Sequence, residues 1–153
     1  NRAIESGKGD LIKILYMDDY LAHENSLQEI ADAFTGEGNA RSAWLASGCT
    51  HNYGGIPRDF HAPRYTEDIH TGNNCIGSPS VLTMRRESVL LFDENLSFLL
   101  DCDLYKRLYE KFGAPAILNT ANVIIGIHGG QTTNLMPQIE KQKEAEYLMK
   151  KYG

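Results

Sequence analysis

The chain lacks any apolar run of membrane-spanning length, and its first residues lack a secretory-leader pattern. It has no CxxC pair. Its three cysteines, Cys49, Cys75 and Cys102, are odd in number and widely spaced, which argues against both a zinc site and a disulfide framework. A reducing, cytoplasmic setting is the resulting expectation. Positive charge is also short, with 15 Lys and Arg against 20 Asp and Glu and a net charge of −5. No basic face is available to neutralise a run of phosphates, so nucleic acid is excluded as a principal partner, although a small phosphate pocket is not. Internal repeats and low-complexity tracts are absent. What remains is 153 residues, 42% hydrophobic and 23% charged, the size and composition of one globular domain able to bury a core.

The stretch LIKILYMDDYL, Leu11 to Leu21, organises the rest. Leu11, Ile12, Ile14, Leu15 and Tyr16 form a short apolar run of the kind that makes a strand buried on both faces. Asp18 and Asp19 follow at its C-terminal end, where ligands bind in open α/β sheets. Adjacent carboxylates repel unless a positive group lies beside them, and a divalent cation carrying a phosphorylated ligand is a common solution. The plainer alternative has Asp18 starting a turn and Asp19 capping the next helix.

Other elements follow along the chain. NRAIES reads as the end of a helix closed by Gly7 and Gly9, so earlier strands of a longer domain are expected ahead of Asn1. Ser26 and Glu29 have capping-box spacing, and Leu27, Ile30, Ala31 and Phe34 predict an amphipathic helix ending near Gly36. Ala40 to Ser47 predicts a strand with Trp44 in the core. Gly48 to Asn74, with His51, His61 and His70, predicts a long substrate-facing excursion whose histidines fit no metal-ligand spacing. Val81 to Met84 predicts a strand ending in Arg85 and Arg86, which suit either a solvated edge or an anion. A helix is expected over Asp101 to Phe112, with Leu104 and Leu108 buried and Gly113 as its stop. Ala116 to Leu118 and Val123 to Ile127 predict two strands, the second leading into His128 and a glycine-containing loop. The last helix, Pro137 to Tyr152, pairs an apolar face (Ala145, Leu148, Met149, Tyr152) with a solvated Lys/Glu face.

Four stretches in order resemble glycosyltransferase family 2. NRAIESGKGDLIKILYMDDYL is similar to the family's segment ending in a DxD-type acidic motif, with Asp18 and Asp19 at its last two acidic places. NCIGSPSVLTMRRE is like the family's acceptor-facing strand, FDENLSFLLDCDLYKRL like its segment bearing the catalytic Asp, and HGGQTTN like its closing loop. The resemblance runs from Asn1 to about Thr133. Three positions depart from the pattern: Tyr16 stands where many members have the motif's first Asp, Leu100 where a Glu often precedes the catalytic Asp, and Gly126 where an Arg is frequent.

The resemblance implies an α/β, GT-A-like mixed sheet flanked by helices, without the family's first βα units. It implies an inverting transferase that moves a sugar from a nucleotide-diphosphate donor to a hydroxyl of a glycan, lipid-linked or other acceptor, assisted by Mg²⁺ or Mn²⁺. Asp101 is the implied general base. Asp19 is the implied direct metal ligand, with Asp18 at the nucleotide ribose or the metal's waters and His128 near the diphosphate or metal. Asp18, Lys13, His128 and Thr132 are expected at the nucleotide and diphosphate, and Asn74, Gly77, Ser80 and Arg85 on the acceptor side. For Asp101 the competing reading is a helix-terminal carboxylate satisfied by the dipole. The competing function is a degenerate, non-catalytic domain that binds glycan or a partner. A phosphohydrolase built on the acidic pair ranks last, for want of further converging ligands.

Overall fold

The computed structural model describes residues 1–36 and 38–153. Six strands form a mixed sheet: β1 (Leu11–Lys13), β2 (Tyr20–Leu21), β3 (Trp44–Asn52), β4 (Arg58–His61), β5 (Leu82–Arg85) and β6 (Ala116–Gly126). Its order is β1-β5-β3-β6-β2, with β4 pairing the far end of β3. Among the described residues only the β3–β6 pairing is parallel. The helices are α1 (Arg2–Ser6), α2 (Ser26–Thr35), α3 (Leu100–Phe112), α4 (Thr132–Leu135) and α5 (Gln138–Tyr152). The chain is thus α/β, a mixed sheet flanked by helices, and no helix among the described residues is long and apolar enough to cross a membrane.

Successive side chains of a strand point to opposite faces, and β3 uses both. Leu45 packs with Ile30 and Phe34 of α2 and with Ala116, whereas Trp44 and Ala46 join the larger core with Leu104, Tyr105 and Leu108 of α3. Trp44 lies on Tyr105, ring centroids 5.9 Å apart, and its indole N–H donates to the Gly113 carbonyl at 3.0 Å. Helices therefore cover both faces of the central strand. A buried Trp with a satisfied N–H is the arrangement its large apolar body and single donor favour.

Several expectations change in detail. The Leu11–Tyr16 run is not buried on both faces. Only its first three residues pair, at the sheet's edge, and Leu15 and Tyr16 are 43% and 38% exposed. An unbroken apolar run does not by itself distinguish a central strand from an edge strand followed by a cleft wall. Ser26 is the first helical residue of α2 rather than its cap. Asn25 holds the cap position, the Ser26 hydroxyl accepts from the His23 N–H, and Glu29 turns to Asn122 of β6 at 2.8 Å. Leu27 is 53% exposed.

The strand expected over Ala40 to Ser47 starts at Trp44 and runs on to Asn52, so the long excursion begins later and is folded back as β4. Its histidines are hydrogen-bonded to carbonyls: His51 to Asp59, His61 to Cys75 and His70 to Glu67. The two strands expected near Ala116 and Val123 are one strand, β6, whose register against β3 shifts around Gly48. A Cβ there would lie 2.7 Å from the Thr120 carbonyl oxygen, so glycine permits the close approach. The Lys/Glu face of α5 is not wholly solvated, because Glu144 and Lys151 bind the loop before α3 and the start of α3.

Candidate active site

Asp18 and Asp19 lie in a turn between two edge strands. The Asp19 N–H bonds back to the Tyr16 carbonyl at 3.1 Å, and the chain then enters β2, which pairs Tyr20 with Ile124 of β6. That pairing sets the acidic turn against the C-terminal end of β6, where the chain runs on into His128. Opposite stands the first turn of α3 with Asp101. An open cleft of about 580 Å³ lies between them. Asp18, Asp19, Asp101, His128 and Thr132 line it, with Tyr16, Met17, Phe98, Leu100 and Ile125 among its apolar walls.

The two adjacent aspartates differ in surroundings. Asp19 is only 8% exposed, and both its oxygens are engaged: Oδ1 accepts the Gly126 N–H at 3.0 Å, and Oδ2 the Ser78 hydroxyl at 3.4 Å. Burial raises its carboxyl above the ordinary value, while hydrogen bonds from Ser80, Gly126 and Ser78 pull the other way. Asp18 is more open. Its Oδ2 lies 3.1 Å from His128 Nε2. His128 Nδ1 accepts the Gly130 N–H at 3.1 Å, which leaves the neutral ring's proton on Nε2, directed at Asp18.

This arrangement bears on a divalent cation. Among the described residues no three His, Cys, Asp or Glu side chains gather into a metal-ligand group. Mg²⁺ and Mn²⁺ do not need one, since such ions are often held by one or two carboxylates with water and substrate phosphates completing the shell. Asp18 fits that part, whereas Asp19, expected as the direct ligand, has both oxygens engaged and stands behind it. His128 does not fit the direct ligation expected for it. The nitrogen facing the cleft carries a proton, so the ring is an N–H donor to Asp18 or to an anionic ligand.

Asp101 is held by two bonds. Its Oδ1 accepts the Cys102 N–H at 2.8 Å and its Oδ2 the Asn74 side-chain amide at 2.8 Å. Burial nevertheless pushes its carboxyl up to about 6, against those stabilising bonds. A carboxylate with that affinity for a proton, facing a cleft, is a candidate acid or base. Tyr16 is pushed up to about 12 by burial and by the charges of Asp101, Asp19 and Asp18, so it remains a neutral phenol at the rim.

The remaining expected residues stand behind the cleft rather than in it. Asn74 Oδ1 accepts the N–H groups of Ile76 and Gly77, so Asn74 ties its own loop to Asp101. Gly77 adopts φ 117°, a backbone conformation suited to glycine, and its carbonyl accepts from Asn74 and Tyr105. Ser80 is fully buried. Its hydroxyl accepts the Tyr16 N–H, and its carbonyl accepts from the Lys13 ammonium. Lys13 is a partly buried prop rather than a phosphate contact. Desolvation lowers its pKa to about 7, opposed by the negative charge of Asp19. Arg85 is remote: its guanidinium is consumed by the Ser42, Phe34 and Ala40 carbonyls and lies over the Phe34 ring at 5.0 Å, the solvated-edge and anion readings both giving way to a helix-anchoring role.

Sequence reasoning missed Ser78, Tyr105 and Glu144. Tyr105 is fully buried, and its hydroxyl donates toward the Gly77 and Ser78 carbonyls at 3.1 Å, anchoring the loop that forms one cleft wall. Ser78 sits in a turn and Glu144 in a charged helical string, so neither carried a local signal. No family model and no curated protein matches the chain.

Proposed function

We propose that the chain is the catalytic part of an inverting sugar transferase that uses a nucleotide-diphosphate donor. The observation that carries this reading is the meeting, in one cleft, of the Asp18–His128 pair and Asp101 from parts of the chain far apart in sequence. The order of the four family-like stretches supports it independently.

In this reading the donor's diphosphate lies at Asp18 and His128. A bound Mg²⁺ or Mn²⁺ supplies neutralisation of the charge that develops on the departing diphosphate. His128 donates its Nε2 proton in a hydrogen bond to the same anion, and Thr132 lines the diphosphate end. The acceptor hydroxyl enters from the side of Asp101. Its oxygen forms the new bond to the anomeric carbon as the bond from that carbon to the diphosphate oxygen breaks, and its proton passes to Asp101. The apolar walls at Phe98, Leu100 and Ile125 limit water at the reacting carbon. Asp19 holds the turn in register from below.

The test is calorimetric titration of UDP, GDP and dTDP, with and without Mn²⁺, on the chain and on Asp18→Ala. Metal-dependent binding that Asp18→Ala loses supports the reading. A folded chain that ignores every nucleotide sinks it, and favours a non-catalytic module that binds glycan or a partner. The substituted positions Tyr16, Leu100 and Gly126 are the observation on that side.

A further inference from the structure

Helix α5 grips the beginning of α3 at two points that bracket Asp101. Ahead of it, the Glu144 carboxylate accepts three backbone N–H groups: Ser97 at 2.8 Å on one oxygen, and Phe98 at 2.9 Å and Leu99 at 2.8 Å on the other. Behind it, Asp103 is fully buried and bonds Lys151 at 2.8 Å, Tyr152 at 2.6 Å and its own helix's Arg107 at 2.7 Å. Glu144 and Lys151 are two helical turns apart on one face of α5, so one rigid rod sets both contacts.

The N-terminus of a helix presents unsatisfied N–H groups and a partial positive charge, which a capping side chain ordinarily meets. Leu99 occupies the cap position of α3 and has no such side chain. We propose that Glu144 is a positioning residue for Asp101: by binding the N–H groups ahead of α3 it fixes that carboxylate at the cleft and keeps it a strong enough base to take a proton. This rests on the reading of Asp101 as the base.

Left unopposed, the helix terminus favours ionised Asp101 and weakens it as a base. The negative charge of Glu144 at the same terminus offsets this. The other groups facing Asp101 are Tyr16 from the segment after β1, the Asn74 amide, and Cys102 and Tyr105 of α3. Among the described residues Asp101 has no Lys, Arg or His ion-pair partner. Ser97 and Phe98 also line the cleft, so the same three bonds shape its wall.

The experiment follows the Asp101 carboxyl by carbon-13 NMR through a pH titration of the full chain, of Glu144→Gln and of Glu140→Gln, a surface carboxylate paired with Lys143. The expected result is a midpoint lower by about half a pH unit in Glu144→Gln, the size of a charge at a helix terminus, and no change in Glu140→Gln. An unchanged midpoint in a Glu144→Gln protein that is merely less stable overturns the proposal, leaving Glu144 a stability cap. If Glu144→Gln does not fold, Glu144→Asp, which sets the charge back by one methylene, takes its place, and a midpoint equal to wild type overturns the proposal there. Binding of UDP with Mn²⁺ is measured on the same samples. A lowered midpoint with no nucleotide binding sinks the transferase reading and leaves the coupling of Glu144 to Asp101 standing. Binding without any change in midpoint does the reverse. Where transfer is detected, kcat of Glu144→Gln falls about tenfold with the donor KM unchanged, as expected when the base is displaced and the donor site is intact.

Discussion

The backbone N–H of Gly126 donates to the Asp19 carboxylate at 3.0 Å, and the missing side chain of Gly126 is what permits it. A Cβ at this position would overlap the carbonyl oxygen of Asp18. β6 and the acidic turn therefore touch backbone to backbone, and a larger side chain such as Arg has no room in this packing. Gly126→Ala is expected to cost about 2 kcal/mol, as overpacking does, and to weaken Mn²⁺-dependent nucleotide binding more than tenfold by moving the Asp18 turn. Chemical denaturation and calorimetry read the two effects; wild-type affinity would separate the turn from the site.

Asp101 should govern the acid limb of activity. A base must be ionised to accept a proton, so kcat/KM is expected to fall below a midpoint near pH 6, where burial has placed this carboxyl. Asp101→Asn removes that limb with the activity itself, and an unaltered limb in any residual activity assigns it elsewhere.

The same burial has a stability sign. The folded state holds the Asp101 proton through the window from about 4 to about 6, in which an unfolded Asp has already released it. Stability from this group is present at low pH and lost as pH rises through that window. Asp101→Asn is therefore expected to stabilise the protein at pH 7.5, by up to about 3 kcal/mol, the worth of the two-unit displacement. Denaturant midpoints at pH 4 and pH 7.5 test this, since the gain should vanish at the lower pH.

Asp103 carries the opposite expectation. It is fully buried and shared among Arg107, Lys151 and Tyr152. Asp103→Asn removes the charge that two cations face and should cost about 3 kcal/mol, with faster amide exchange in the last turn of α5. A loss under about 1 kcal/mol would show that α5 is held by its other contacts, those of Glu144 among them.

Tyr105→Phe tests the cleft wall. Its ring packs on Trp44, which Phe preserves, while its hydroxyl serves the Gly77 and Ser78 carbonyls. The expected cost is about 1 kcal/mol for the lost hydroxyl bonds, since the Gly77 carbonyl keeps the Asn74 amide and the Ser78 carbonyl keeps the Val81 N–H, together with a higher KM for acceptor. A change confined to stability would mean the loop holds its shape through Asn74.

How far these features were legible in the sequence depended on whether their cause was local. Trp44 in the core, Leu104 and Leu108 on the buried face of α3 and the stop at Gly113 all follow from periodicity and backbone preference. Strand extents were less legible. An edge strand and a central one read alike until their partners are known, which is why the run at Leu11 looked longer and more buried than it is. Arg85 shows the same limit for a site. Its charge is visible, but its three carbonyl partners come from the end of α2 and the segment that follows.

By itself, then, the sequence determined the buried face of α3, the core aromatic and the acidic pair, because apolar spacing and turn chemistry act over a few residues. Only the tertiary structure decided which of the two aspartates opens to the cleft, which nitrogen of His128 carries the proton, and that Glu144 is spent on the N-terminus of α3. Those outcomes depend on hydrogen bonds between residues as much as 110 apart, Asp18 with His128 being one, and no local pattern encodes such a partner.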